Sequence, residues 1–299
     1  MNYLGRELNE YRANLHAHST TSDGQFDPAQ VIALYADAGY DVLAFTDHRK
    51  SNRISAFDSR GMTLISGMEL HPAGPRGIRW HILGLGLPED YLYPDPPSGQ
   101  AAVDSVLAAG AIAFCAHPYW CGFTSAEVAA LKGISGIEVY NTSTRYIGKE
   151  YNMQCWDELL SAGLRHTAIA VDDVHRLRDL FRGYTMILAE EKTPAALLSA
   201  LKNGDFYASQ GPRFTRIAVE GNFLRADFSP VSSAILIGCN SAGFCVGTED
   251  FEGPGCGNLP ISHLEYDLSS KFSPYWRIQL RDSAGRMAWS NPIFPGGPV

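Results

Sequence analysis

The sequence predicts an α/β fold, a parallel sheet or barrel over the first two thirds of the chain, followed by a small all-β module. Two observations carry this. Strand-length apolar runs alternate with helical patterns that have readable ends up to about residue 210. Beyond it come short alternating segments punctuated by Gly, Pro, Asn and Ser. With 299 residues, 45% hydrophobic and 19% charged, the chain is long enough for one large domain and a small partner.

Expected strands of the first part are Ala13–His16, Val42–Thr46, Thr63–Gly67, Ile112–Ala116, Ile137–Tyr140, Ala168–Val171 and Thr185–Leu188. Asp27 and Pro28 supply an N-cap and first turn for a helix through Val31, Leu34 and Tyr35 that stops at Gly39. Thr193 and Pro194 open another that closes at Gly204. Trp80–Leu85 follows its predecessor too closely for a crossover helix, so it is read as an irregular extra strand. After residue 210 the strands expected are Phe214–Val219, Phe223–Phe228, Ala234–Gly238, Trp276–Leu280 and Met287–Trp289, with Gly247–Pro260 a loop. The expected division is therefore 1–210 and 211–299.

Composition excludes several function classes. No apolar run approaches the roughly 20 residues of a membrane-spanning helix. With 24 Lys+Arg against 32 Asp+Glu and a net charge of -8, no extended nucleic-acid surface is expected, and a small molecule is the expected partner. The first residues lack the basic-then-apolar layout of a secretory signal, which reads as cytoplasmic. Six scattered cysteines without C-x-x-C spacing read as reduced, mostly buried thiols.

The histidines are the informative feature. Six of the nine, His16, His18, His48, His81, His117 and His175, fall at or near ends of expected strands, where functional groups gather in parallel α/β folds. Carboxylates accompany them at Asp23, Glu69, Asp172 and Asp173. Imidazole and carboxylate together suit Zn, Mn or Fe, and Glu69 is the natural bridge between two ions. In His16-Ala17-His18 a period of two puts both imidazoles on one side. Arg49 and Arg145 lie in the adjoining loops as candidate phosphate clamps, and Tyr119 and Trp120 as a candidate substrate wall. His71, His166 and His263 lack a place in the pattern; His71 stands near Glu69, where an outer hydrogen-bonding role is open.

These residues resemble a known family. NLHAHSTTSDG (Asn14–Gly24), FTDH (Phe45–His48), SGMEL (Ser66–Leu70), HILGLG (His81–Gly86), AHPYW (Ala116–Trp120), IEVYN (Ile137–Asn141) and DDVH (Asp172–His175) are similar, in order, to motifs of the polymerase and histidinol phosphatase (PHP) superfamily. The tail, with FYASQGPRF (Phe206–Phe214) and AWSNPIF (Ala288–Phe294), resembles its CehA/McbA-type branch, in which a β domain follows the barrel. The resemblance implies a distorted (β/α)7 TIM-like barrel followed by a sandwich-like β domain, and two to three divalent ions. It implies a first ion on His16, His18, Glu69 and Asp173, a second on Glu69, His81 and His117, and a third on Asp23, His48 and His175. His16, His18, Glu69 and Asp173 then carry catalysis through a metal-activated hydroxide. The doubled aspartate departs from the pattern; D-x-H selects Asp173 and leaves Asp172 unassigned. The activity implied is hydrolysis of a small phosphorylated metabolite or nucleotide. A carbamate or carboxylic ester hydrolase on the same ions, and a non-catalytic metal-stabilised binding module, are the rival expectations.

Overall fold

The computed structural model describes residues 1–247 and 260–295. The interior of the loop expected at Gly247–Pro260 lies outside the described residues. Two short strands open the chain, β1 (Asn2–Tyr3) and β2 (Arg6–Glu7), followed by β3 (Asn9–Asn14), helix α1 (Pro28–Asp37), β4 (Val42–Phe45), β5 (Thr63–Leu70) and β6 (Ile82–Leu85). Next come α2 (Gly99–Ala108), β7 (Ile112–Cys115), the short α3 (Pro118–Cys121) and α4 (Ser125–Ala130), β8 (Gly136–Asn141), α5 (Met153–Ser161) and β9 (Thr167–Val171). β10 (Tyr184–Ala189), α6 (Pro194–Asn203) and β11 (Phe206–Ser209) follow. Every later element among the described residues is a strand: β12 (Phe214–Glu220), β13 (Phe223–Val231), β14 (Ser233–Gly238), β15 (Gly243–Gly247), β16 (Ile261–Asp267), β17 (Trp276–Arg281) and β18 (Met287–Ser290).

Helix ends follow from local chemistry. Asp27 accepts from the Gln30 backbone at 2.8 Å while the Gln30 side chain accepts from the Asp27 backbone at 3.0 Å, a reciprocal cap worth about 1 kcal/mol. α6 begins at the Thr193 cap with Pro194 and ends at Gly204, whose φ of 80° needs glycine.

Thirteen strands form one mixed sheet in the order β15-β14-β17-β18-β11-β10-β3-β4-β5-β6-β7-β8-β9. Pairing is parallel across β3-β4-β5 and β7-β8-β9, but β6 runs antiparallel to both neighbours and β10 antiparallel to β3 and β11. The expectation of a parallel set therefore needs correction. β10 follows β9 with only a 3-10 turn at Leu177–Asp179 between them, so no crossover helix returns the chain to a parallel start. β9 instead meets β10 through a side chain: the Thr185 hydroxyl accepts from the Ala170 backbone at 3.2 Å and donates to its carbonyl at 3.0 Å. A second sheet, β16-β13-β12-β1-β2, pairs the chain start in parallel with β12.

Strands β4, β6, β7, β8, β10 and β11 are buried along their whole length, as strands covered on both faces must be. One face of successive strands shares an apolar cluster that includes Leu15, Val42, Ile65, Leu83, Phe114, Ile169, Ile187 and Phe206, with Leu197 and Leu201 of α6 packed into it. The site residues lie at one end of this interior. His81, which precedes β6, reaches the same end because β6 is antiparallel, and its first residue lies where its neighbours finish.

Candidate metal centre

His16 and His18 leave β3 with their Nε2 atoms 2.9 Å apart. Asp173 Oδ1 lies 3.2 and 3.1 Å from these nitrogens, and Glu69 Oε2 lies 3.5 Å from each. Both oxygens are buried and without a hydrogen-bond partner. Bonds of about 2.0–2.1 Å to a tetrahedral cation put neighbouring donor atoms about 3.3 Å apart, so this group has the spacing of a ligand set. On the other side of the same carboxylate, Glu69 Oε1 lies 2.7 Å from His81 Nδ1 and 3.3 Å from His117 Nε2. Nearer solvent, Asp23 Oδ2 lies 3.4 Å from His48 Nε2, and its Oδ1 lies 3.4 Å from His175 Nε2 and 3.9 Å from His18 Nδ1. The structure thus brings together the nine residues His16, His18, Asp23, His48, Glu69, His81, His117, Asp173 and His175 at one rim, with His18 also close to the outer set and with Glu138 and His71 placed beside them.

A surrounding shell fixes them. The Glu138 carboxylate lies 2.6 Å from His16 Nδ1, which orients the ring and leaves Nε2 for a cation. Its other oxygen accepts from the His117 backbone and the Asn141 amide, both at 2.8 Å. Asn141 also donates to Asp173 at 3.1 Å. Asp47 orders the loop that carries Asp23, accepting from the Ser19 and Ser22 backbones at 2.8 and 3.0 Å. Gly24 closes that loop; a Cβ there would sit 2.6 Å from the His18 carbonyl oxygen.

The two aspartates separate as the motif implies. Asp172 turns away from the rim and accepts from Phe181 N, Tyr35 Oη, Arg182 N, Gly183 N and Thr142 Oγ1 at 2.7, 2.8, 2.9, 3.0 and 3.1 Å. The cause differs from simple strand alternation. Asp173 has φ of 52°, so the chain has left the extended state, and the left-handed residue delivers its carboxylate to the rim.

Burial opposes charge throughout the rim, yet mutual attraction prevails at several positions. Despite burial, the imidazoles led by His81 and His16 hold Glu69 well below the usual carboxylate range, and His16 and His18 do the same for Asp173. Burial pushes His18 and His81 down to about 4. His16 and His117 are held well above the usual histidine range against burial, by Asp173, Glu138 and Glu69 for the first and by Cys121 and Glu69 for the second. Asp23, with Glu69 or Asp173, raises His48 to about 10 and His175 to about 9.

A cavity of about 530 Å³ opens onto the rim and is also lined by Trp120, Ser143, Thr144, Tyr146, Arg176 and Arg178. None of the three expected substrate residues, Arg49, Arg145 and Tyr119, is among its lining. Arg49 is exposed on a turn with φ of 55°. Arg145 sits in a 3-10 turn that aims its guanidinium at the carbonyls of Thr142 and Arg178, at 3.2 and 2.6 Å. Short helix α3 presents Trp120 to His81 and His117, with ring centroids 5.5 and 5.1 Å apart, and leaves Tyr119 outside. His71, Glu138, Asp47 and Arg178 are the neighbours that the motifs left without a role. Among the described residues Cys115, Cys121, Cys155 and Cys239 are free thiols, but only Cys115 is fully buried, short of the burial expected. No described helix is long and apolar enough to cross a membrane.

No family model matches the chain. The phosphoribosyl 1,2-cyclic phosphate 1,2-diphosphodiesterase of Eggerthella lenta is 37% identical over 81 residues, 25% of this chain and 31% of that protein. The match thus spans less than a third of this curated relative. A two-domain protein from Bacteroides vulgatus containing a predicted PHP-like metal-dependent phosphoesterase superposes with a TM-score of 0.52 at 15% identity, covering 96% of both chains. A lesion-specific endonuclease from Pyrococcus furiosus gives a TM-score of 0.46 at 14% identity over 65% of this chain and 56% of its own. At the level of fold, the chain is a mixed α/β protein that resembles the Bacteroides protein along nearly its whole length.

Proposed function

We propose that this chain is a metal-dependent phosphoesterase that hydrolyses a small phosphorylated metabolite or nucleotide on two to three divalent ions. One observation carries the reading: the buried, unpartnered oxygens Glu69 Oε2 and Asp173 Oδ1 converge on the Nε2 atoms of His16 and His18. Unpaired carboxylate oxygens beside clustered imidazoles are costly unless a cation joins them, and this donor set suits Zn, Mn or Fe. His16, His18, Glu69 and Asp173 would hold the first ion, Glu69, His81 and His117 the second, and Asp23, His48 and His175 the third. Such ions supply Lewis acidity, lowering the pKa of water at the site towards about 7 and offsetting charge on phosphoryl oxygens.

The chain's own residues do the positioning. Glu138 sets the His16 tautomer, and Asn141 steadies Asp173. Arg176 and Arg178 on the cavity wall meet a substrate anion, and Trp120 and Tyr146 flank its organic part. We read residues 1–210 as the hydrolase unit and 211–299 as a β domain of the CehA/McbA type. The apolar interior shared by β3 to β7 and β9 to β11 and the Thr185 link support a distorted (β/α)7 barrel. Free thiols favour a reducing, cytoplasmic compartment.

A panel of phosphomonoesters, a cyclic phosphodiester, carbamates and aryl esters, assayed with added Zn, Mn or Fe, tests the activity. Metal-dependent phosphate release, inhibited competitively by inorganic phosphate, is expected. Turnover of a carbamate or carboxylic ester far above every phosphoester would transfer the site to that class. Loaded protein that turns over none of them would be a binding module.

A further inference from the structure

We propose that the outer cation has a second seat, formed by His48 Nδ1, Glu69 Oε2 and His71 Nε2, that competes with the Asp23, His48 and His175 seat for the His48 ring. The inference rests on the metal-centre reading above and adds His71, which the motifs leave unassigned.

All three donor atoms are buried, and none has a hydrogen-bond partner. His48 Nδ1 approaches Glu69 Oε2 to 2.7 Å without the alignment of a hydrogen bond, and His71 Nε2 stands 3.4 Å from the same oxygen. Buried polar atoms almost always have a hydrogen-bond partner, so three that crowd together without one point to a shared cation. The His71 ring is confined between His48 and His81, with centroids 4.3 and 4.1 Å away, which holds Nε2 on this side. Two imidazole nitrogens and one carboxylate oxygen form a donor set for a divalent transition ion such as zinc. Glu69 Oε2 can serve this seat as well as the first ion, because a carboxylate oxygen carries two lone pairs.

Exclusion follows from the ring itself. A neutral imidazole has one bare nitrogen, so His48 serves the outer seat through Nε2 or the inner one through Nδ1. The inner seat is the more sheltered, with side-chain exposures of 19, 1 and 13% for His48, Glu69 and His71, against 55% for Asp23. A zinc ion driven from the exposed seat thus has a protected one at the other nitrogen of the same ring.

Equilibrium dialysis against zinc, with metal per chain read by elemental analysis, tests this on full-length wild type, Asp23→Asn, His71→Ala and the double variant. Each single variant should keep the wild-type ion content at saturation, with Asp23→Asn weakened about 10-fold or more at its weakest ion. The double variant should lose one ion per chain. Asp23→Asn alone losing that ion, or the double variant keeping it, overturns the second seat. Wild type holding only the two deep ions also overturns it but leaves the phosphoesterase reading intact, whereas wild type without stoichiometric metal overturns the reading itself. His71→Asn, with circular dichroism as the folding check, replaces His71→Ala if that variant does not fold.

Discussion

The deep and outer parts of the rim use the same residue types and are built differently. The deep part, His16, His18, Glu69 and Asp173, has side chains 0 to 7% exposed. Its members sit in or just past strands β3, β5 and β9, and Glu138 and Asn141 lock them from behind. The outer part, Asp23, His48 and His175, is 55, 19 and 23% exposed and stands on loops. Depth brings preorganisation and a high cost for any lost partner. Shallowness brings exchange with solvent.

The sharpest way to break this comparison is to remove charge at its deepest point. Asp173→Asn, isosteric and tolerant of the left-handed backbone there, should abolish most activity and strip metal from the His16 and His18 pair. Asp172→Asn should instead lower stability, on the order of 3 kcal/mol, by placing an amide among donors that now bind a carboxylate. Metal analysis and chemical denaturation of the two variants check the split; wild-type metal content in Asp173→Asn together with metal loss in Asp172→Asn would place the register one residue out. Glu138→Gln comes next, with metal affinity expected to fall about 10- to 100-fold while the fold survives, measured by competition with a chelating dye.

The substrate wall gives a smaller effect. Arg176→Ala and Arg178→Ala should each raise KM about 10-fold with little change in kcat, while Arg49→Ala leaves both unchanged. Unchanged KM in the first two would remove them from substrate binding.

The smallest effect is the pH response of the outer ion. His48 and His175 bind protons up to about pH 10 and 9 in the metal-free rim, and a cation must displace those protons, so affinity should rise with pH through neutrality. Calorimetry in buffers of different ionisation enthalpy should show proton release at pH 7; a buffer-independent heat would contradict it.

Much of the deep part was legible in the sequence because its donors end strands whose apolar runs stand out, and because His16-Ala17-His18 and Asp173-Val174-His175 repeat at short spacing. The opposite directions of the Asp172 and Asp173 side chains were legible in outcome but not in cause, since alternation does not foretell a φ of 52°. Glu138 was hidden inside a fully buried strand that reads as core, and its partner His16 lies far away in sequence. The antiparallel course of β10 was equally hidden, because it depends on a turn at Leu177–Asp179 that carries no strong periodicity. Two-residue β1, which pairs with β12, and β2, which pairs with β1, are too short to leave a pattern. Arg49, Arg145 and Tyr119 lie outside the cavity lining; adjacency in a loop does not say which way a 3-10 turn or a four-residue helix faces its side chains.

Metal content is the measurement closest to the central claim. Protein stripped with chelator, reconstituted with Zn, Mn or Fe and freed of excess by gel filtration should retain at least two ions per chain, and Glu69→Gln, which removes the shared carboxylate, should retain fewer. No stoichiometric metal in the wild type, or an ion content unchanged by Glu69→Gln, would contradict the account.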